Sequence, residues 1–342
     1  MRALVMHPNR FVLEERPLPE PGPGQVLART LACGICGSDL HLYRHADAML
    51  ELGRQAGIPE EILGKGVVLG HEFIAEIAGF GPGTRQQLAI GDRVTSTPFV
   101  KGELETVPMG STPLVDGAYA EYFLLSEELL IPVPKDLPTA AAALTEPLAI
   151  GIHAVNRASL DGNPVAIVMG CGPIGLAVIA ALRLRGIEHI IAGDFSAKRR
   201  ELALAMGARI VVDAAQGSPL AHIPADRAAQ PAVSFECTGV TGMIGQIVEQ
   251  IPARSTIVVA GIAHGSDSFT PMQAVAKELS IHFVSFYQQS EFQAALDALA
   301  DGSINWQPWI TGKVGLEGVA AAFEELRDPE RHAKILIYPN GE

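Results

Sequence analysis

VAIVMGCGPIGLAVIAAL, residues 165–182, is the stretch on which the reading of the fold turns. Its eighteen residues carry no charge, which reaches the lower limit for crossing a bilayer. Gly170, Gly172, Pro173 and Gly175 interrupt it, so it reads instead as a buried strand, a tight turn and a buried helix. The glycines are spaced G-x-G-x-x-G between that strand and that helix, the context in which the spacing signals a dinucleotide. They permit a sharp turn, close approach of backbone to pyrophosphate and tight helix–strand packing, with the helix N-terminus facing the phosphate charge. Gly170, Gly172, Pro173, Ile174 and Gly175 are therefore candidate cofactor-binding residues. Asp194 follows at the end of the next strand, about twenty residues beyond the turn. A carboxylate there accepts hydrogen bonds from ribose hydroxyls and repels a 2′-phosphate, which favours NAD over NADP. Lys198, Arg199 and Arg200 keep NADP open, unless they are the solvated face of a helix over 197–206.

Outward from this stretch, strands and helices alternate from about residue 151. The pattern predicts strands at 165–169, 189–192, 210–212, 233–237, 256–260 and 281–286, with helices over 174–184 and 197–206: a parallel, doubly wound α/β sheet. A tail from 289 to 342 holds helices over 292–300 and 316–326 and a strand over 334–338. The part before, 1–150, is β-rich, with short apolar runs at 26–31, 73–77, 93–97 and 119–125 between Gly- and Pro-rich turns, which suits a barrel-like domain. Within it, 46–62 has helix-forming composition, with Met49, Leu50 and Leu52 as apolar positions. At 342 residues two domains are expected.

The net charge of −13 excludes a partner held mainly through phosphate backbones, so nucleic acid is not expected. The N-terminus has no apolar signal region, no membrane span is expected, and the expected address is the cytoplasm. The four cysteines, at 33, 36, 171 and 237, do not form a disulfide framework. Cys33 and Cys36 make a C-x-x-C that could be redox-active or metal-binding. Redox use favours a C-x-x-C at a helix start after a strand, and Gly34, Gly37 and Ser38 support that poorly, so ligation by at least one of the two is preferred.

Three further motifs supply donor types that zinc accepts: Cys36 in CGSDLH, His71 in GHE and Glu146 in TEP. With PGPGQVL, GDRV, GAYAEY, LTEPLA, GCGPIG, DFSAKRRELA, ECTG and VVAGI, they run the length of the chain in an order that resembles the zinc-containing medium-chain dehydrogenases, in the style of the sorbitol, threonine and butanediol branches. The resemblance implies a GroES-like catalytic domain (1–150), a Rossmann coenzyme domain (151–288), a tail (289–342) returning to the catalytic domain, and an active site in the cleft between the two domains. It implies a catalytic zinc on Cys36, His71 and Glu146, although a water could intervene at Glu146 or Glu72 could replace it. Glu72 stands beside the ligand His, as a supporting carboxylate or one that enters coordination. Asp39 would fix the tautomer of that His. Ser38 would bond the substrate hydroxyl, and His41 would belong to a proton relay. Cys33 has no counterpart as a ligand and reads as structural. Gly239 of ECTG, Gly261 and Ile262 of VVAGI, and Arg199 join the cofactor-binding set by the same resemblance.

The implied activity is reversible hydride transfer between a secondary alcohol or polyol and NAD(P), giving a ketone, in a homodimer or homotetramer with 281–286 as the joining edge. Two departures stand out. Relatives often hold a structural zinc on four cysteines, and 95–116 here has none, so no structural zinc is expected. The connection 42–66 is long and reads as an insertion that roofs the substrate pocket or as a surface elaboration. A zinc-free quinone or enone reductase would lack Cys36, His71 or Glu146, and a non-catalytic nucleotide-binding protein would have eroded Ser38, His41 or the zinc set.

Overall fold

The computed structural model describes residues 1–342 except Ala56, 102–105 and His264, and the side chain of Met49. The chain forms two compact units, Met1–Glu146 with Ile310–Asp328 and Lys334–Glu342, and Pro147–Trp309 with Pro329–Ala333.

The first unit is built on a seven-stranded sheet. Strand Gln25–Gly34 runs through its middle because residues on both its faces are buried, and it pairs antiparallel with Glu72–Phe80, Tyr122–Ser126 and Lys334–Ile337. Gly34 lies opposite Glu72 on one side and Leu336 on the other, so the ladder brings the GHE motif and the last strand to one end of the sheet. Ile310–Val314 pairs parallel with Lys334–Ile337 at the sheet edge. Val26, Phe73, Ile77, Phe123 and Phe323 fill the core, with Phe73 and Phe123 in an edge-to-face contact at 4.9 Å. The stretch expected to be helical over 46–62 forms Ala46–Gln55 and a short turn of helix, Glu60–Leu63. In it, Ala56 and the Met49 side chain lie outside the described residues. The segment 95–116 includes the hairpin Phe99–Lys101 with Thr106–Pro108, while its residues 102–105 lie outside the described residues.

The second unit has a six-stranded, wholly parallel sheet in the order Ile210–Asp213, Ile190–Asp194, Val165–Met169, Ala232–Glu236, Thr256–Val259, Ser280–Phe283. This is the doubly wound order, reversing at Val165–Met169. All five residues of that strand are buried, as a central parallel strand with helices on both faces requires. Helix Pro173–Leu184 follows, and eight consecutive residues of it, Gly175 to Leu182, are buried. The uncharged run is thus divided between strand, turn and helix, and among the described residues no helix is long and apolar enough to cross a membrane.

Candidate functional site

Cys36 caps helix Gly37–Arg44. Its sulfur accepts from the backbone of Asp39, and the Asp39 side chain accepts from the Cys36 amide at 3.0 Å. That reciprocal pair nucleates a helix whose first residues, Gly37 and Ser38, have weak helix propensity. The C-x-x-C therefore does stand at a helix start after a strand, contrary to the sequence-based reading of Gly34, Gly37 and Ser38. The two thiols differ in setting. Cys33 is wholly buried in strand Gln25–Gly34, where burial pushes its thiol well up, whereas Cys36 stands at the site.

His71 leads into strand Glu72–Phe80. Its Nδ1 lies 3.5 Å from Asp39 Oδ1, and its Nε2 lies 3.4 Å from Ser38 Oγ. Asp39 is fully buried, and its other oxygen accepts from the Tyr119 hydroxyl at 2.8 Å as well as from Cys36. Burial raises the Asp39 carboxyl, with His71, the Cys36 amide and Tyr119 working against that rise. For His71, burial opposes the charged ring, but Asp39, Cys36 and Glu146 outweigh it and raise its proton affinity well above the ordinary imidazole range. The carboxylate facing Nδ1 favours a proton there, which leaves Nε2, beside Ser38, as the nitrogen that can bind a metal once it has given up its own proton.

Cys36, His71 and Glu72 each offer a ligand atom, all within 4.8 Å of one another. Thiolate, imidazole and carboxylate suit zinc, and the pull of the surrounding anions on the His71 proton marks a site whose charge calls for a cation. The residues therefore fit the metal. Glu146, also buried, is outside that triplet but close enough to raise the proton affinity of both His71 and Lys334. Lys334, fully buried, donates to both oxygens of Glu72 at 2.6 and 2.8 Å. His41 sits on helix Gly37–Arg44 with its ring 4.3 Å from that of His45.

In the second unit, Gly170 (φ 90°) makes the turn after Val165–Met169, Gly172 caps the helix and Pro173 occupies its first turn, followed by Ile174. A β-carbon on Gly175 would fall 1.9 Å from the Gly170 carbonyl oxygen, so the helix can approach the turn only with glycine there. Asp194 ends strand Ile190–Asp194; its Oδ2 accepts from the Cys171 amide at 2.8 Å and its Oδ1 from the Ser196 amide at 2.9 Å. The three basic residues part company. Arg200 donates to the carbonyls of Asp194 and Phe195, Lys198 pairs with Glu201, and the Arg199 guanidinium lies 4.0 Å from Asp194 Oδ2. Gly239 and Gly261 lie back to back at the ends of neighbouring strands, and Ile262 beside them is 70% exposed.

The alcohol dehydrogenase GroES-like domain family matches residues 22–135, and the zinc-binding dehydrogenase family matches residues 173–301. Sorbitol dehydrogenase of Bos taurus is 31% identical, with 94% of this chain and 92% of that one covered. Sorbitol dehydrogenase of Bacillus subtilis (strain 168) is 30% identical over 99% and 98% of the two chains. The crystal structure of 2R,3R-butanediol dehydrogenase from Bacillus subtilis superposes with a TM-score of 0.84 at 29% identity, covering 99% of each.

The chain belongs to the zinc-type medium-chain alcohol dehydrogenases.

As a member of this family it is an alcohol dehydrogenase on a GroES-like and Rossmann framework, and its relatives do not favour the zinc-free reductase or non-catalytic readings. Two residues of the zinc-type site escaped sequence reasoning. Tyr119 sits within the quoted GAYAEY motif, yet nothing local shows its bond to Asp39, which is 80 positions away. Lys334 opens an apolar strand, and only a charge at the start of KILI hinted at a partner, which lies 262 positions away.

Proposed function

We propose that Cys36, His71 and Glu146 hold a single catalytic zinc, with no structural zinc in the chain, and that the enzyme interconverts a secondary alcohol or polyol and its ketone with NAD. The observation that supports a metal here most is the convergence of the Cys36, His71 and Glu72 donor atoms within 4.8 Å; Glu146, near enough to act on His71, is taken as the carboxylate ligand because both oxygens of Glu72 accept from Lys334. Bound there, zinc supplies Lewis acidity towards the substrate oxygen. The remaining work belongs to the chain. Asp39 holds the His71 proton on Nδ1. Ser38 Oγ, 3.4 Å from His71 Nε2, would accept the proton of the substrate hydroxyl while releasing its own towards His41. His41, its ring tilted against that of His45 at 4.3 Å, would pass that proton outward.

Gly170, Gly172, Pro173, Ile174 and Gly175 cradle the pyrophosphate at a helix N-terminus. Asp194 receives the adenosine ribose hydroxyls, which favours NAD, while Arg199 beside it leaves some capacity for NADP. Gly239, Gly261 and Ile262 flank the nicotinamide half. In functional terms the unit of Met1–Glu146 with Ile310–Asp328 and Lys334–Glu342 is the catalytic domain and the unit holding Pro147–Trp309 the coenzyme domain, so the tail returns to the catalytic unit at Ile310 rather than at 289. The insertion 42–66 roofs the substrate pocket. The edge strand Ser280–Phe283, with Phe283 70% exposed and Met272 and Val275 each 75% exposed, joins subunits into a homodimer or homotetramer. The enzyme works in the cytoplasm.

The test is a panel of secondary alcohols and polyols assayed with NAD and NADP beside metal analysis. NAD reduction by at least one of them, dependent on bound zinc, is expected. Turnover that survives full removal of zinc would rule out the assignment.

A further inference from the structure

His41 and His45 stand four residues apart at the end of helix Gly37–Arg44, a spacing that puts two side chains side by side on one face. The turn between them is closed, because the His45 amide donates to the His41 carbonyl at 3.1 Å. Helix Ala46–Gln55 starts at the next residue, so the backbone is held on both sides of the pair. The two imidazole rings meet with centroids 4.3 Å apart and planes inclined by 39°. A neutral imidazole has one nitrogen with a free lone pair. Two histidines at i and i+4 on a helical face are a chelating spacing for a divalent transition metal, and imidazole suits zinc, copper and nickel.

The position favours a cation as well. His45 caps the C-terminal end of its helix, where the last carbonyls carry the negative end of the helix dipole. The chain as a whole has a net charge of −13. His45 is exposed and His41 half-buried, so an ion can reach the pair from solvent. Arg44, exposed in the same turn, works against a cation, although solvent and salt screen that repulsion.

We propose that His41 and His45 form a second, open chelate for a divalent transition metal, distinct from the zinc on Cys36 and His71, and that filling it slows turnover. The slowing rests on the reading of His41 as the proton relay: an imidazole whose lone pair is bound to a metal does not accept a proton. With two protein ligands and Arg44 beside it, the added ion is held weakly and leaves on desalting. Zinc that stays with the chain is then that of the Cys36 site, where three donors converge.

The experiment adds nickel(II) to the zinc-loaded wild type, His45→Ala and His45→Gln in a non-chelating buffer at mildly alkaline pH. Calorimetry measures binding, alcohol-dependent NAD reduction is followed in parallel, and zinc content is checked afterwards to show that the catalytic metal has stayed. Wild type is expected to bind one nickel ion beyond its zinc and to lose turnover over the same concentration range. Linking two donors raises affinity over one by about 10²–10⁴, so both variants are expected to need at least about 100-fold more nickel for either effect. Without nickel their turnover is expected to match wild type, since His45 takes no part in the reaction. Nickel affinity unchanged in both variants, or no nickel bound by wild type beyond its zinc, would overturn the chelate. Inhibition that persists equally in both variants would place the inhibitory ion elsewhere and overturn the inference too. Binding that is lost in the variants yet leaves wild-type turnover untouched would overturn the inhibitory role and the relay reading of His41, while the calorimetry upheld the chelate.

Discussion

Replacing Asp39 by Asn alters one atom and tests how His71 is made a ligand. Asp39 Oδ2 accepts from the Cys36 amide at 3.0 Å and the Tyr119 hydroxyl at 2.8 Å, while Oδ1 faces His71 Nδ1 at 3.5 Å. An ionised carboxylate only accepts, so the imidazole proton stays on Nδ1 and Nε2 offers its lone pair. In Asn the carbonyl oxygen can keep both accepted bonds, which turns the amide N–H₂ towards Nδ1. Nδ1 must then accept, and the proton moves to Nε2, where it blocks the metal. Loss of such a supporting partner costs about 10–100-fold in affinity, or about 1.4–2.7 kcal/mol. Chelator competition at neutral pH measures it. The metal-free fold supplies the control. Compared above the pH at which metal-free His71 gives up its proton, so that the loss of its ion pair does not enter, Asn should lower the unfolding free energy of metal-free protein by no more than about 1 kcal/mol, because burial already works against a charge at Asp39. A variant that binds zinc within about threefold of wild type would refute the reasoning, because the tautomer would then not depend on Asp39.

The raised proton affinity of His71 has a definite sign: its stabilising effect on the metal-free protein is complete below the unfolded value of about 6.5 and is lost as pH rises through the folded value. Metal-free protein should therefore lose stability above neutral pH, and zinc uptake there should release a proton; calorimetry in two buffers of different ionisation heat would show no such release if the assignment were wrong. Gly175→Ala places a methyl 1.9 Å from the Gly170 carbonyl oxygen and should cost about 1–3 kcal/mol in urea denaturation, with weakened NADH binding. Asp194→Ala removes the acceptor of the Cys171 and Ser196 amides as well as the ribose contact, and fluorescence titration should show NADH affinity down by about 1.5–3 kcal/mol. Phe283→Asp on the exposed edge strand should shift the protein to monomer by light scattering, and an unchanged mass would remove that edge from the interface.

The parts legible in the sequence are those whose cause is local. Val165–Met169, the turn at Gly170 and helix Pro173–Leu184 were readable because glycine spacing and an uncharged run allow few other structures. Helix Gly37–Arg44 went unread because its first turn is held by the reciprocal Cys36–Asp39 bonds rather than by helix-forming residues. Strand Ile310–Val314 went unread because, at a sheet edge with only half-buried or exposed residues, it shows no alternation. Cys36 and His71 were visible through their motifs. Their support was not: Tyr119 and Lys334 reach Asp39 and Glu72 from 80 and 262 positions away, and such pairings exist only after the sheet has formed. The same holds for the choice of third ligand, since Glu72 and Glu146 are both carboxylates next to plausible motifs, and neither the closeness of Glu72 to Cys36 and His71 nor its pairing with Lys334 shows in the sequence.

The most direct measurement is zinc content per chain, taken together with alcohol-dependent NAD reduction, for wild type and Cys36→Ala. One zinc per chain and turnover are expected in wild type, with both lost in the variant while the fold is kept. Two zinc ions per wild-type chain, or turnover unaffected by Cys36→Ala, would contradict a single catalytic zinc held at Cys36.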